Sequence, residues 1–518
     1  MSDAPVHAEG PPPLKGAALA FTAIAIATGT FMQVLDTSIA NVAIPTISGN
    51  LGVSPDQGTW VITFFAMANG VSVPISGWLM VRFGPVRTFI ASVVLFTIAS
   101  FLCGMAWNMP SLIAFRLLQG GVSGPMIPGS LALLRGIFPP KQATMASAVW
   151  SMTTMAAPVC GPILGGYISD NMSWSWIFFI NVPVGLFCAF ACARGLKGRD
   201  APGRKMPVDG VGLGLLIVWV AALQVMLDQG KDADWFSSPA IVVLALTAGV
   251  GFIAWLIWEL TEKHPIVDLS AFRSRNFAAG VAAFCLGYGA FFSNTVLLPL
   301  WLQTQLGFIA TWAGLVLAPA GVVAVIMSPI SARLLGRLDT RISATVALAL
   351  FAAASFMRAG LTPDADFAAL ALPMWVQGAA MGFFFTALIT LSLGEIPPER
   401  IPAATSLLNF ARITAGGFAA SLVTTLWDRR EALHQTRLAE SLGTHTGVLE
   451  PVLQALQHAG LVGAPAAAAV GRAAVGQAYA MAAVDVFWLS GWIMLLIIPA
   501  LWFAKRAAPV AGQAVAAD

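Results

Sequence analysis

The chain has 518 residues, of which 58% are hydrophobic and only 10% charged. Soluble domains run nearer 45–50% apolar with about 25% charge, so this chain has too few charges to tile a water-exposed surface. A net charge of +3 is no nucleic-acid footprint either, which leaves lipid as the solvent for most of the protein.

The head, residues 1–15, is polar and Pro-rich, and no small-residue cleavage site follows Lys15, so the first apolar run is expected to stay in the membrane. A membrane span needs roughly 20 mostly apolar residues. Such runs recur near 16–38, 59–81, 88–107, 110–134, 144–168, 175–194, 209–228, 239–259, 276–302, 311–335, 342–360, 367–392, 404–427 and 481–503, giving fourteen expected helices. Charges inside them are costly in lipid and mark function.

Span 1 carries Asp36, in Leu35-Asp36-Thr37-Ser38. Span 2 ends in Gly77-Trp78-Leu79-Met80-Val81-Arg82-Phe83-Gly84-Pro85-Val86-Arg87. There Gly84-Pro85 makes a tight turn and Arg82 and Arg87 hold it at the membrane surface; anchoring explains the charges, and a gate would also explain Gly77 and Gly84. In span 4, Arg116 and Gln119 lie three apart and share a helix face. Arg116 cannot shed its proton, so it needs a polar or anionic partner, and Asp36 is the candidate. Desolvation favours the neutral form of such a carboxylate and a neighbouring cation the ionised form, so the pair reads as a proton carrier or as a fixed lock between two helices. Span 5 contains Pro158, Gly161, Pro162, Gly165 and Gly166. Gly161 and Gly165 permit close helix approach, while the two prolines break the backbone ladder, so a bend at a moving interface is expected.

In span 13, Asn409 and Arg412 again lie three apart, facing Gly416 and Gly417. This second buried cation expects an acidic partner or an anionic substrate. Between spans 13 and 14, residues 428–480 hold three of the five histidines (His434, His445, His458) and an Ala-rich stretch, and read as solvated amphipathic helix. Asp485 is expected at the outer interface.

Lys and Arg give the direction. With the N-terminus inside, 19 of the 27 fall on the cytoplasmic side and six, including Arg358, on the other, with Arg116 and Arg412 within spans. Both ends are therefore expected in the cytoplasm. Cys103, Cys160, Cys188, Cys192 and Cys285 all lie in spans and read as small buried hydrophobes. The halves also echo each other: Pro74-Ile75-Ser76, Leu79 and Arg82 return as Pro329-Ile330-Ser331, Leu334 and Arg337, and Gln119-Gly120 with Gly124 returns as Gln377-Gly378 with Gly382. A shift of eight spans keeps direction, so the repeat is parallel. It implies an all-α fold of two six-helix bundles with two helices inserted between them. The expected division is 1–15 tail, 16–205 first bundle, 206–262 inserted pair, 263–504 second bundle with its outer segment 428–480, and 505–518 tail. No phosphate-binding loop, metal-ligand cluster, cofactor motif or catalytic constellation is present, so no cofactor or enzymatic role is expected. A membrane-embedded enzyme or scaffold is the alternative from another class.

The stretches 35–45, Arg116 with Gln119-Gly120, Gly124 to Pro128, Trp150 to Gly166, Trp176 to Pro183 and Asn409 to Gly417 together resemble the major facilitator superfamily. The likeness is strongest to its fourteen-span drug:proton antiporters of the EmrB/QacA type. The resemblance implies proton-driven multidrug efflux across an inner membrane. Asp36, Arg116, Gln119, Asn409 and Arg412 would serve proton coupling, Pro158 to Gly166 the antiporter motif, and Gly77, Arg82, Gly84 and Arg87 the gating turn. It also implies a periplasmic adaptor (membrane fusion protein) and an outer-membrane channel as partners. One departure stands out: Val81 occupies the place where many members carry Asp, so a carboxylate latch at that turn is not expected. With 17 Trp, 32 Phe and 19 Met, the cavity is expected to suit amphipathic cargo. Export of one specific lipid, siderophore or natural product remains open, as does import of a sugar or other nutrient.

Overall fold

The computed structural model describes residues 13–505, apart from 54, 140–141, 201–202, 204–206, 232, 336–337, 363–364, 445 and 459–462. The chain winds through α1 (Gly16–Leu51), α2 (Pro55–Phe83), α3 (Pro85–Gly104), α4 (Met109–Ser123), α5 (Met126–Ile137), α6 (Ala143–Asn171), α7 (Trp176–Phe179) and α8 (Asn181–Gly195). Next come α9 (Gly210–Gln229) and α10 (Pro239–Thr261), then α11 (Arg275–Thr304), α12 (Ala310–Leu335), α13 (Thr340–Ala359), α14 (Phe367–Leu393), α15 (Ile401–Thr444), α16 (Thr446–His458) and α17 (Ala464–Leu501). The starts follow local chemistry. Asn108 and Ser111 form a capping box on α4, and Asp209, Ser274, Asp339 and Asp366 accept from free amides at the starts of α9, α11, α13 and α14.

Among the described residues, 12 helices are long and apolar enough to cross a membrane. The other two expected spans are helical but differ in kind. Span 4 is broken after Ser123 into α4 and α5, because Pro125 removes a donor from the ladder. Span 5 is α6, a continuous helix through both prolines rather than a broken one. Its hydroxyls cost little in lipid, since Ser147, Ser151 and Thr154 each donate to a carbonyl of the preceding turn. The segment after span 13, expected as solvated helix, is helical and continuous with the span: α15 runs 44 residues without a break, so span 13 and its polar extension are one rod.

In the first half α1 packs on α6 and α8, α2 on α4, and α3 on α4 and α8; in the second α11 packs on α15 and α17, and α13 on α14 and α17. The halves meet where α6 lies along α12 and α2 along α15. The internal repeat is physical. A Cβ on Gly120 would collide with the carbonyl oxygen of Phe65, and one on Gly378 would stand 2.5 Å from that of Ala320. Phe65 and Ala320 are related by the same offset as Pro74 and Pro329. Gly120→Ala is therefore expected to cost about 1–3 kcal/mol through overpacking, read as a lowered melting temperature of the detergent-purified protein.

One face gathers the basic ends. Leu14 N donates to the Ile137 carbonyl at 3.0 Å, Lys505 N to Asn276 Oδ1 at 2.7 Å, and Arg341 Nη1 to the Ala504 carbonyl at 3.2 Å. We call this the basic face, and the opposite one the far face.

Candidate functional site

Asp36, near the middle of α1, is 1% exposed, and Arg116 and Gln119 on α4 are 0% exposed. Arg116 Nη1 donates to Asp36 Oδ2 at 2.6 Å and to Gln119 Oε1 at 2.7 Å, and its Nε to the Val61 carbonyl at 3.0 Å. The second carboxylate oxygen, Oδ1, accepts from Gln119 Nε2 at 3.1 Å and from Asn181 Nδ2 at 2.8 Å. Asn181 is held in turn by Ser100 Oγ at 3.0 Å. Phe65 lies beneath the guanidinium, 4.2 Å from its carbon to the ring centroid. A buried ion pair tolerates its desolvation only when the remaining lone pairs are met by donors, and here amides from α4 and α8 supply them. Donors from α4 and α8 therefore converge on one carboxylate of α1.

The sequence brought Asp36, Arg116 and Gln119 together and left Asn181, Ser100 and the Val61 carbonyl unassigned. The one signal for Asn181 was an amide standing inside the apolar run from Trp176 to Pro183.

The span 5 glycines lie one turn away. A Cβ on Gly161 would collide with Ser38 Oγ, and one on Gly165 would sit 3.0 Å from Ile39 Cγ1. Ser38 Oγ also donates to the Pro158 carbonyl at 3.1 Å. The motif thus lets α6 press onto α1 just past Asp36. Gly166 turns instead toward Thr311 of α12, in the opposite half. The side chain of Pro162 lies outside the described residues.

At the basic face Gly84 takes φ +91°, and Arg82 lies 4.9 Å from the Trp78 ring and 5.5 Å from that of Phe83. Gly77 meets α15: a Cβ there would stand 3.1 Å from Ala403 Cα, and Ser76 bonds Ser406 across the halves. The expectation that this turn lacks a carboxylate is corrected. Asp200, from the segment after α8, accepts from Val86 N at 3.0 Å and Arg87 N at 3.3 Å and pairs with Arg87 Nε at 3.4 Å. It comes from far along the chain, and it caps the start of α3 where the helix dipole favours an anion.

Arg412 is 6% exposed and finds no carboxylate within 4.0 Å among the described residues, so its expected acidic partner is absent. Its Nη2 donates to Asn409 Oδ1 at 3.2 Å, and its guanidinium carbon lies 4.8 Å from the Tyr288 ring of α11 and 5.9 Å from the Trp150 ring of α6. It therefore sits between the halves, beside an aromatic cluster of Tyr288, Phe284, Phe291, Phe292 and Phe385. Arg358, expected on the outer side among the topology-setting cations, is corrected to a buried position. It is 1% exposed and donates to Gln377, the repeat counterpart of Gln119. Asp485 pairs with Arg430 at 2.6 Å and with His434 at 2.8 Å, tying α15 to α17.

The family profile described as Major Facilitator Superfamily matches residues 26–421. The chain is 45% identical over 494 residues to the multidrug export protein EmrB of Escherichia coli strain K12, covering 95% of this chain and 96% of that one. It is 44% identical over 494 residues to the fatty acid resistance protein FarB of Neisseria gonorrhoeae, covering 95% and 97%. Among solved structures, the human organic anion transporter MFSD10 (TETRAN) superposes with a TM-score of 0.59 at 12% identity, covering 94% of this chain and 100% of that one, a likeness of fold.

Proposed function

The chain belongs to the major facilitator superfamily, and from that premise we propose that it is a proton-driven exporter of amphipathic drugs or toxic hydrophobic compounds. The observation that carries the reading is the ion pair of Arg116 and Asp36, both fully buried and held by Gln119 and Asn181. The relatives named for multidrug export and for fatty acid resistance support the cargo class. In this reading Asp36 takes up the coupling proton. Neutral Asp36 releases Arg116, and the loosened contacts among α1, α4 and α8 let one half rock against the other along α6–α12 and α2–α15. The aromatic cluster by Tyr288 offers cargo an apolar wall, and Arg412 and Asn409 add a polar anchor at the same depth.

The protein is placed in the inner membrane with the basic face, and both termini, in the cytoplasm. Residues 16–205 and 263–504 serve as the two rocking bundles around the inserted 206–262. Gly77, Arg82, Gly84 and Arg87 form the gating turn. The cargo itself undergoes no bond making or breaking. Transport in reconstituted vesicles tests the reading: an imposed proton gradient should drive cargo uphill, and the gradient should collapse faster with cargo than without it. Cargo movement indifferent to the gradient would refute it.

The far-face extension of α15, with α16 and the start of α17, is the proposed docking surface for a periplasmic adaptor that leads to an outer-membrane channel. A transporter acting alone would leave apolar cargo in the periplasm, free to re-enter. Deleting α16 and rejoining α15 to α17 is expected to leave vesicle transport near the parent rate and to lower drug resistance of two-membrane cells. If both fall together, the segment is structural; if neither falls, it docks nothing.

A further inference from the structure

The inserted pair α9–α10 carries none of the residues that the export reading uses. α10 turns a stripe of Val243, Leu246, Val250, Ile253, Ile257 and Leu260, each 58–67% exposed, away from the protein. α9 instead lies over the seam between the halves. A Cβ on Gly70 of α2 would stand 3.2 Å from Val220 Cγ1, and the Trp219 ring meets Phe410 of α15 at 5.8 Å.

The two ends of α9 are fastened to different halves. At the basic face the preceding segment is held by the first half, through Asp200 on the amides of Val86 and Arg87 and through Trp78 Nε1, which donates to the Pro207 carbonyl at 3.3 Å. At the far face α9 and the turn after it are held by α15 of the second half. Ser421 Oγ donates to the Leu227 carbonyl at 2.6 Å, Trp235 Nε1 to Thr425 Oγ1 at 3.0 Å, and Lys231 pairs with Asp428 at 2.8 Å. A helix of 20 residues spans about 30 Å, so the two fastenings lie on opposite faces of the protein.

We infer that α9–α10 is a diagonal brace, tied to the first half at the basic face through Pro207 on Trp78, where Asp200 at the end of the first bundle seats the segment that leads into α9, and to the second half at the far face through Lys231 and Trp235. It holds the halves in the arrangement in which Ser76 of α2 meets Ser406 of α15. Asp200 thereby does, from a distant segment, what no carboxylate of the turn itself does here. Two ties on one strut act in series: releasing either end slackens the whole, and releasing the second adds nothing.

The experiment introduces a cysteine pair, Ser76→Cys with Ser406→Cys, into the full-length protein in membranes. It reads the oxidative cross-linking rate from that peptide pair by mass spectrometry. Asp200→Asn (basic end) and Lys231→Gln with Trp235→Phe (far end) are each expected to slow cross-linking about five-fold, the size a partly exposed ion pair allows. All variants together should slow it no more than the larger of the two, since coupled sites are non-additive. The charge swap Lys231→Asp with Asp428→Lys should keep the parent rate, which separates loss of the tie from damage to the fold. The brace is overturned if the far-end variant leaves the rate unchanged, if the two effects multiply, or if the swap is as slow as the far-end variant. The readout needs no cargo, so its failure leaves the export reading standing and a failed vesicle assay leaves the brace standing.

Discussion

Arg116→Ala is expected to lower proton-driven export at least about 100-fold, a loss of roughly 2.7 kcal/mol in the coupled step, while the protein still inserts in the membrane. The side chain is 0% exposed and makes three hydrogen bonds at once, to Asp36, Gln119 and the Val61 carbonyl. Removing it leaves Asp36 ionised in a buried site, which costs about 3–5 kcal/mol, so the carboxylate takes a proton and keeps it. A site that never releases its proton cannot couple. Arg116→Lys should rescue poorly, because a point-charge ammonium cannot span the carboxylate, the amide and the carbonyl together as a planar fork does. Export rates under an imposed pH gradient, measured in vesicles with equal amounts of each variant, check this; a wild-type rate in Arg116→Ala would remove Arg116 from the coupling site.

Asp36→Asn should separate the two halves of the reaction. The amide nearly matches the carboxylate in shape, accepts through one oxygen only and carries no exchangeable charge, so the cluster is fixed in its neutral form. Arg116 loses its counter-ion, and uphill export should fall by a similar factor, about 100-fold. Downhill exchange of cargo across the same vesicles should fall much less, since it needs no proton to leave. Equal loss of both activities would mean that Asp36 is structural, holding α1 to α4 and α8.

The pair was legible in the sequence because a charge inside an apolar run is rare and has few places to find a partner. Asn181 and Ser100 were not, since hydroxyls and amides are common in spans and most satisfy themselves on their own helix, as Thr97 does on the Val93 carbonyl. Only the packing of α8 against α1 and α3 turns Asn181 toward Asp36. Arg358 was misplaced for a related reason. It stands at the end of its apolar run, one residue from the end of α13, where a surface anchor and a buried donor look alike. Val81 leaves the turn without a carboxylate of its own, and Asp200 lies in a polar connecting segment like any other until the chain folds back on Gly84. The length of α15 was hidden because its charged stretch from Asp428 to Glu431 marks where the apolar run ends, and a helix carries on into water without regard to that boundary. The repeat, by contrast, was legible because glycine at Gly120 and Gly378 is demanded by the same backbone approach in both halves.

The central claim is that Asp36 carries the coupling proton, and proton release from the detergent-purified protein tests it most directly. Adding cargo in weakly buffered solution with a pH indicator should release protons from the wild-type protein. The Asp36→Asn variant should bind the same cargo with that release largely gone. An undiminished release from Asp36→Asn, with cargo bound, would contradict the account and move the coupling proton to another carboxylate.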